Sequence, residues 1–161
     1  FLTGFEEETS EDLNETPEFI LSLANDIGLA SRPTDNRLSV GIAPFVPKAS
    51  TPFQRRPMQD EKTLKRKIQQ ITQGIERLPR IEVEIESPRS SIMQGALSIA
   101  DRSAGLYLAE MAKSRGPLIA SWENVLRELG DGPKANVLRH RDNDPLPWNF
   151  IARPSAGGKQ S

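Results

Sequence analysis

An α/β fold with parallel crossovers is what this sequence predicts, and three observations carry the prediction. Leu64, Ile68, Ile71, Ile75 and Leu78 recur at intervals of three and four, which is one narrow face of a helix. Directly afterwards Ile81, Val83 and Ile85 alternate with Glu82, Glu84 and Glu86, so the period drops from 3.6 to 2 at Pro79. Ahead of both stands another strand-like stretch with Leu38, Val40 and Ile42. Strand, helix and strand in that order are the pattern of a parallel crossover unit.

The elements follow in order. Phe1 to Phe5 reads as the end of a buried strand that runs into the acidic turn Glu6-Glu7-Glu8. Thr9 offers a helix cap with Asp12 three residues on. Pro17 removes a hydrogen bond if it sits inside that helix. The preferred main helix therefore runs from about Pro17 to Ala30, capped by Thr16, with Ile20, Leu23 and Ile27 as its apolar stripe and Gly28 as its terminator. Residues 32–36 form a turn. Arg37 to Val46 is the next strand, ended by Pro44 and Pro47, and Lys48 to Met58 is a loop.

The helix from Asp60 to Leu78 and the half-wet strand from Ile81 come next; the glutamates on alternate positions mark that strand as an edge. Helices return from Ser91 to Lys113, with a break near Asp101, and from Leu118 to Leu129, where Gly130 closes the pattern. Beyond Gly130 the chain is turn-rich, with Pro145-Leu146-Pro147-Trp148 as its strongly apolar anchor, and 152–161 has the composition of a disordered tail. Two or three strands are too few for a comfortable free-standing sheet, which suggests part of a larger barrel or sheet. The opening Phe1-Leu2-Thr3-Gly4-Phe5, without an initiator Met, reads as a strand cut from something longer.

Composition narrows the chemistry. The 161 residues suffice for one domain, and the 13 prolines, about 8% against a usual value near 5%, call for many rigid connections. Net charge is -1, so bulk charge nominates neither nucleic acid nor membrane. There is no cysteine, which excludes disulfides, a thiol nucleophile and any cysteine-ligated iron–sulfur cluster held by this chain alone. No apolar run approaches the roughly 20 residues of a membrane span, and no secretory signal is present, so the expected compartment is the cytoplasm.

Three stretches are candidates for function. Gly4 to Thr9 places a glycine, carboxylates and a helix cap at a strand end, where ligands bind in parallel α/β architectures; a tight turn with acids that complement a helix dipole is the plainer account. Ala43 to Gln54 is too apolar and too proline-rich for an ordinary surface loop and lies at the same rim if the two strands are parallel; it is either shaped for a ligand or a packed lid. From Gln54 to Arg80 eight basic residues face three acids, a balance that suits either a solvated helix face or RNA phosphates, although no aromatic residue stands there to stack on bases. His140, the one histidine, lies between Arg139 and Arg141 and suits neither a metal nor a catalytic triad.

The segments Leu2 to Asp12 and Pro44 to Gln54 resemble the radical S-adenosylmethionine enzymes, above all the uncharacterised ones that carry a cobalamin-binding domain. In these a strand ending in G-(F/L)-x-x-E-T-x-E-D precedes a helix, and F-V-P-K-x-x-T-P-F-Q follows the next strand. Glu86-Ser87-Pro88-Arg89 with Asp101-Arg102, and Asp144-Pro145-Leu146-Pro147-Trp148, are similar to the same group, so the resemblance covers about Phe1 to Ile151.

That resemblance implies the C-terminal portion of a partial (β/α)6 barrel over 1–87, a mostly helical extension over 88–151, and Phe1 to Phe5 and Arg37 to Val46 as the fifth and sixth barrel strands. It implies cofactor-side roles for Gly4, Glu8, Ala43, Phe45 and Val46 toward S-adenosylmethionine, and a substrate-facing loop with Pro47, Lys48 and Thr51. The three cysteines that bind the family's four-iron four-sulfur (4Fe-4S) cluster have no counterpart in this chain. The implied partners are the missing N-terminal half of the barrel and an upstream cobalamin-binding domain. Glu6 stands where many relatives have proline, and Ser98 to Ser103 departs from the family's Ser-Arg-Gly-Asp-Arg-Arg run. The alternative is a non-catalytic module that presents the basic helix 60–78 to a protein or RNA.

Overall fold

The structure, a computed structural model, describes residues 1–29, 37–75 and 80–151. Among these the order is β1 (Leu2–Thr3), α1 (Ser10–Asp26), β2 (Leu38–Pro44), α2 (Glu61–Ile75), β3 (Ile81–Ile85), α3 (Pro88–Ser98), α4 (Ala104–Lys113), α5 (Leu118–Leu129) and α6 (Gly132–Leu138). The three strands form one parallel sheet in the order β1-β2-β3. Leu2 is opposite Ala43, and Val40 is opposite Val83. The parallel α/β class is therefore as the periodicities indicate. The turn at 32–36, the positions Ala30, Leu78 and Pro79, and the tail 152–161 lie outside the described residues.

Both crossover helices lie over one face of the sheet. Leu13 and Ile20 from α1, Val40 and Ile42 from β2, and Ile68, Ile71 and Ile75 from α2 form one buried core, flanked by Leu38, Ile81 and Val83. Strand alternation sends Ser39, Gly41, Glu82 and Glu84 to the opposite face, where all four are exposed. β2 is central, and β3 is an edge, as its glutamate alternation predicts.

The expected helix from Pro17 is corrected. α1 is a single helix from Ser10, and Pro17 is buried inside it. Its start is the capping box of Thr9: the Thr9 hydroxyl accepts from the Asp12 amide at 3.2 Å, and Asp12 accepts from the Thr9 amide at 2.7 Å. What accommodates Pro17 is Gly74 on α2, where an added Cβ would stand 2.5 Å from the Pro17 Cβ. Gly28 follows the helix end with φ 68°, a left-handed conformation that glycine adopts without steric cost.

A second core joins the helical half to the loop after β2. Met58 and Leu64 pack with Ile92, Met93, Ala96, Ile99, Met111, Trp122, Val125, Leu126 and Val137. α3 begins at Pro88, earlier than Ser91, with proline in the first turn where its missing N–H costs nothing. The break before α4 occurs at Asp101, whose carboxylate accepts from the Ser103 amide at 2.8 Å. Gly130 ends α5 with φ 95°. The segment after Gly130, expected to be turn-rich, contains α6, which places the fully buried Val137 in the core.

Candidate functional site

The carboxyl ends of β1, β2 and β3 and the loops that follow them enclose an open cleft of about 400 Å³, lined by Leu2, Phe5, Ala43, Pro44, Phe45, Val46, Lys48, Thr51, Phe53, Glu86 and Gln94. Its position is the one at which parallel sheets bind ligands. Its wall is mostly apolar because three phenylalanine rings meet there. Phe5 and Phe45 lie 4.5 Å apart between centroids, Phe5 and Phe53 5.6 Å, and Phe45 and Phe53 6.1 Å. Phe45 is buried, whereas Phe53 is 47% exposed at the mouth. The side chains of Lys48 and Glu86 have no hydrogen-bond or ion-pair partner among the described residues, so both charges stand available at the rim.

The turn that presents Phe5 is held from behind. Glu8 Oε2 accepts from Thr3 Oγ1, from the Gly4 amide and from Lys67 Nζ, each at 2.9 Å. Lys67 Nζ also donates to the Phe5 carbonyl at 2.6 Å. Thr3 is fully buried, and the Glu8 and Lys67 side chains are 13% and 7% exposed. Gly4 has φ 102°, which favours glycine, and a Cβ there would stand 2.4 Å from Leu64 Cδ2, so the Leu64 side chain would have to move as well. Phe45 N–H donates to Thr3 O at 2.7 Å and fixes β2 against this turn.

The loop after β2 is rich in proline and has few backbone donors of its own, so other segments brace it. Gln54 Oε1 accepts from the Ser50 amide at 2.9 Å and from Trp148 Nε1 at 2.8 Å. The first of these bonds holds Ser50 at φ 62°, a left-handed conformation that costs a non-glycine residue energy. Arg55 Nη1 donates to the carbonyls of Arg141 and Asp144 at 2.6 and 2.8 Å, and the Met58 amide donates to Val137 O at 2.9 Å. Arg141 is 4% exposed; Nη1 donates to Asn136, Val137 and Arg139 carbonyls, and Nη2 to those of Gln54 and Arg56. Burial, followed by repulsion from Arg139, holds its guanidinium below the usual arginine range.

Of the residues singled out in the sequence, Ala43, Phe45, Val46, Lys48 and Thr51 line the cleft. Pro47 is buried beneath the loop. Gly4 and Glu8 stand behind the cleft, with the Gly4 amide and Glu8 Oε2 bonded to each other. The basic run is not a uniform solvated face: Lys67 is turned into the protein, while Lys65 pairs with Glu61. His140 is exposed and lies 3.2 Å from Glu6 Oε2. Asp60 caps α2, accepting from the Lys62 and Thr63 amides at 2.9 and 3.0 Å, and its bonds to Thr63, side chain first, keep its carboxyl below the ordinary range.

Lys67, Arg141 and Arg55 went unremarked in the sequence as parts of the site. Lys67 had a signal, since it falls on the apolar side of α2 between Leu64 and Ile71; the bonds by which the two arginines join 54–56 to 141–144 had none, as these segments lie more than eighty residues apart.

No protein-family model matches this chain, and neither does any curated protein or solved structure. No described helix is long and apolar enough to cross a membrane.

Proposed function

We propose that this chain is the closing section of a radical S-adenosylmethionine enzyme barrel, and that its cleft takes the nucleoside side of that cofactor. One observation carries the reading: the two motifs that carry the resemblance are adjacent in space. They build the cleft at the carboxyl ends of β1 and β2, with Ala43, Phe45 and Val46 in its wall. A sheet covered on one face by α1 and α2 and exposed on the other is also the layering of a barrel wall.

The fit to the cofactor differs along the motif. The apolar wall at Ala43, Phe45 and Val46 suits the flat face of a base, and Lys48 and Glu86 can meet charged groups at the mouth. Gly4 and Glu8 act as positioning residues, because the Glu8 carboxylate holds the turn together from inside. The iron–sulfur cluster does not fit this chain: there is no cysteine, and among the described residues no group of three His, Asp or Glu converges. Electron delivery therefore belongs to another part of the parent protein. Lys48, Thr51 and Phe53 form the substrate-facing loop.

A protein extended upstream of Phe1 tests this. Reconstituted with iron and sulfide and given a reductant, it should release 5′-deoxyadenosine, and Val46→Asp should abolish the release while leaving cluster absorbance intact. An upstream reading frame without a three-cysteine loop, or a loaded protein that forms no product, would sink the proposal. In the other reading, a non-catalytic module that presents the basic helix to a protein or RNA, Lys62, Lys65 and Arg66 would make the contact, since Lys67 faces the core.

A further inference from the structure

A second cavity, of about 370 Å³, lies in the helical half and is separate from the cleft. The α3–α4 connection at Asp101 and Ser103, Tyr107 of α4, Asn136 of α6 and the segment from Arg139 to Trp148 enclose it. Its volume is within the range of small-molecule sites, roughly 300–1,000 Å³. Pro133, Pro145, Pro147 and the rings of Tyr107 and Trp148 supply rigid, flat lining.

Two cations and two carboxylates line its wall. Arg139 and Arg141 both line the cavity. Arg139 is matched by Asp144, with which it forms an ion pair. Asp101 is engaged at the start of α4 by Ser103. Arg141 has no carboxylate partner among the described residues: its five bonds all go to neutral backbone carbonyls, and its Nε–H is buried with no acceptor at all. Buried polar groups are almost always satisfied, and a buried donor left without an acceptor is costly. A guanidinium in that condition in the wall of a cavity of ligand size is accounted for by an anion that enters the cavity.

We infer that this cavity binds a compact anion, phosphate or carboxylate, carried on a flat ring. The anionic group would lie toward Arg141 and Arg139, and the ring against Trp148 and the prolines. The inference does not depend on the radical-enzyme reading. Because Arg141 and Trp148 also hold Gln54 and Arg56, a ligand there would steady the loop that walls the cleft.

The two tryptophans make the site readable. In nitrogen-labelled protein the indole N–H resonances of Trp122 and Trp148 can be assigned with Trp148→Phe. Titration with AMP or with benzoate should move the Trp148 resonance saturably while the buried Trp122 stays in place; AMP alone would identify phosphate as the anion, and benzoate alone carboxylate. Adenosine should move it far less than AMP. Arg139→Gln should weaken binding about tenfold or more, because a charge-assisted contact is lost. Arg141→Lys should weaken it as well, with an unmoved Trp122 resonance as the sign that the fold is intact. No saturable shift with either anion, equal shifts with adenosine and AMP, or unchanged affinity in Arg139→Gln would each overturn the assignment.

Discussion

Replacing Glu8 by alanine removes the single oxygen on which Thr3 Oγ1, the Gly4 amide and Lys67 Nζ all converge. Thr3 is fully buried, and Lys67 is 6% exposed, so water does not readily replace the lost acceptor. Removing one partner of a buried pair costs about 3–5 kcal/mol, because the other charge is left uncompensated. That is a large part of the roughly 5–15 kcal/mol that holds a domain folded. With a urea m-value near about 2 kcal/mol/M, the unfolding midpoint should fall by roughly 2 M with an unchanged slope. The double replacement Glu8→Leu with Lys67→Met removes both charges and should be more stable than Glu8→Ala alone, although the Thr3 and Gly4 donors remain unpaired. A loss below about 1 kcal/mol for Glu8→Ala is the behaviour of an exposed ion pair. That result, or additivity across the double-mutant cycle, would refute the assignment of this pair as the support of the Phe5 turn.

Two further outcomes follow from the geometry. Gly74→Ala raises intrinsic helix propensity by about 1 kcal/mol, yet it should destabilise by about 1–3 kcal/mol, because the new methyl meets the Pro17 Cβ at 2.5 Å; thermal melts should show the cost largely gone in a Pro17→Gly background, which removes that Cβ. The carboxyls of Asp60 and Glu61 are held below their ordinary range, Asp60 first by the Thr63 hydroxyl and Glu61 first by Lys65. Groups with depressed folded values stabilise fully above the unfolded value and lose that contribution as pH falls through the folded one. Urea midpoints should therefore be flat above about pH 5 and decline below about pH 4, and Asp60→Asn should flatten that decline.

Much of the framework was legible because periodicity reports burial directly. The stripe on α2 and the alternation on β3 are consequences of which side chains face the core, and both elements appear where those patterns lie. The Thr9–Asp12 capping box was legible for a local reason: it closes within four residues. Pro17 misled because its cost inside a helix is visible in sequence, whereas the glycine that accommodates it lies on another helix, fifty-seven positions later. α6 was hidden by its own opening, since Gly132-Pro133 is the composition of a turn and also that of a first helical turn. Of the site, the lining at Ala43 to Thr51 was readable as an apolar, proline-rich stretch that is out of place on a surface. The bonds that hold this lining were not, because a guanidinium bound to backbone carbonyls leaves no trace in either partner's sequence.

Those hidden bonds decide what the helical half does for the cleft. The loop from Pro44 to Met58 contains Pro44, Pro47, Pro52 and Pro57, none of which donates a backbone hydrogen bond, and it has no ladder of its own. Its anchors come from two sides. Strand register supplies one, through Phe45 N–H and Thr3 O; residues 137–148 supply the others, through Val137 O, Arg141 and Trp148. Phe53, Thr51 and Lys48 sit between these anchors and make up the outer wall of the cleft. A change confined to the far segment, such as Trp148→Ala, therefore acts on the cleft without touching it, by freeing Gln54 and with it the left-handed turn at Ser50. The helices after β3 are thus part of the site's construction, because the segment that lines the second cavity also anchors the loop that walls the cleft.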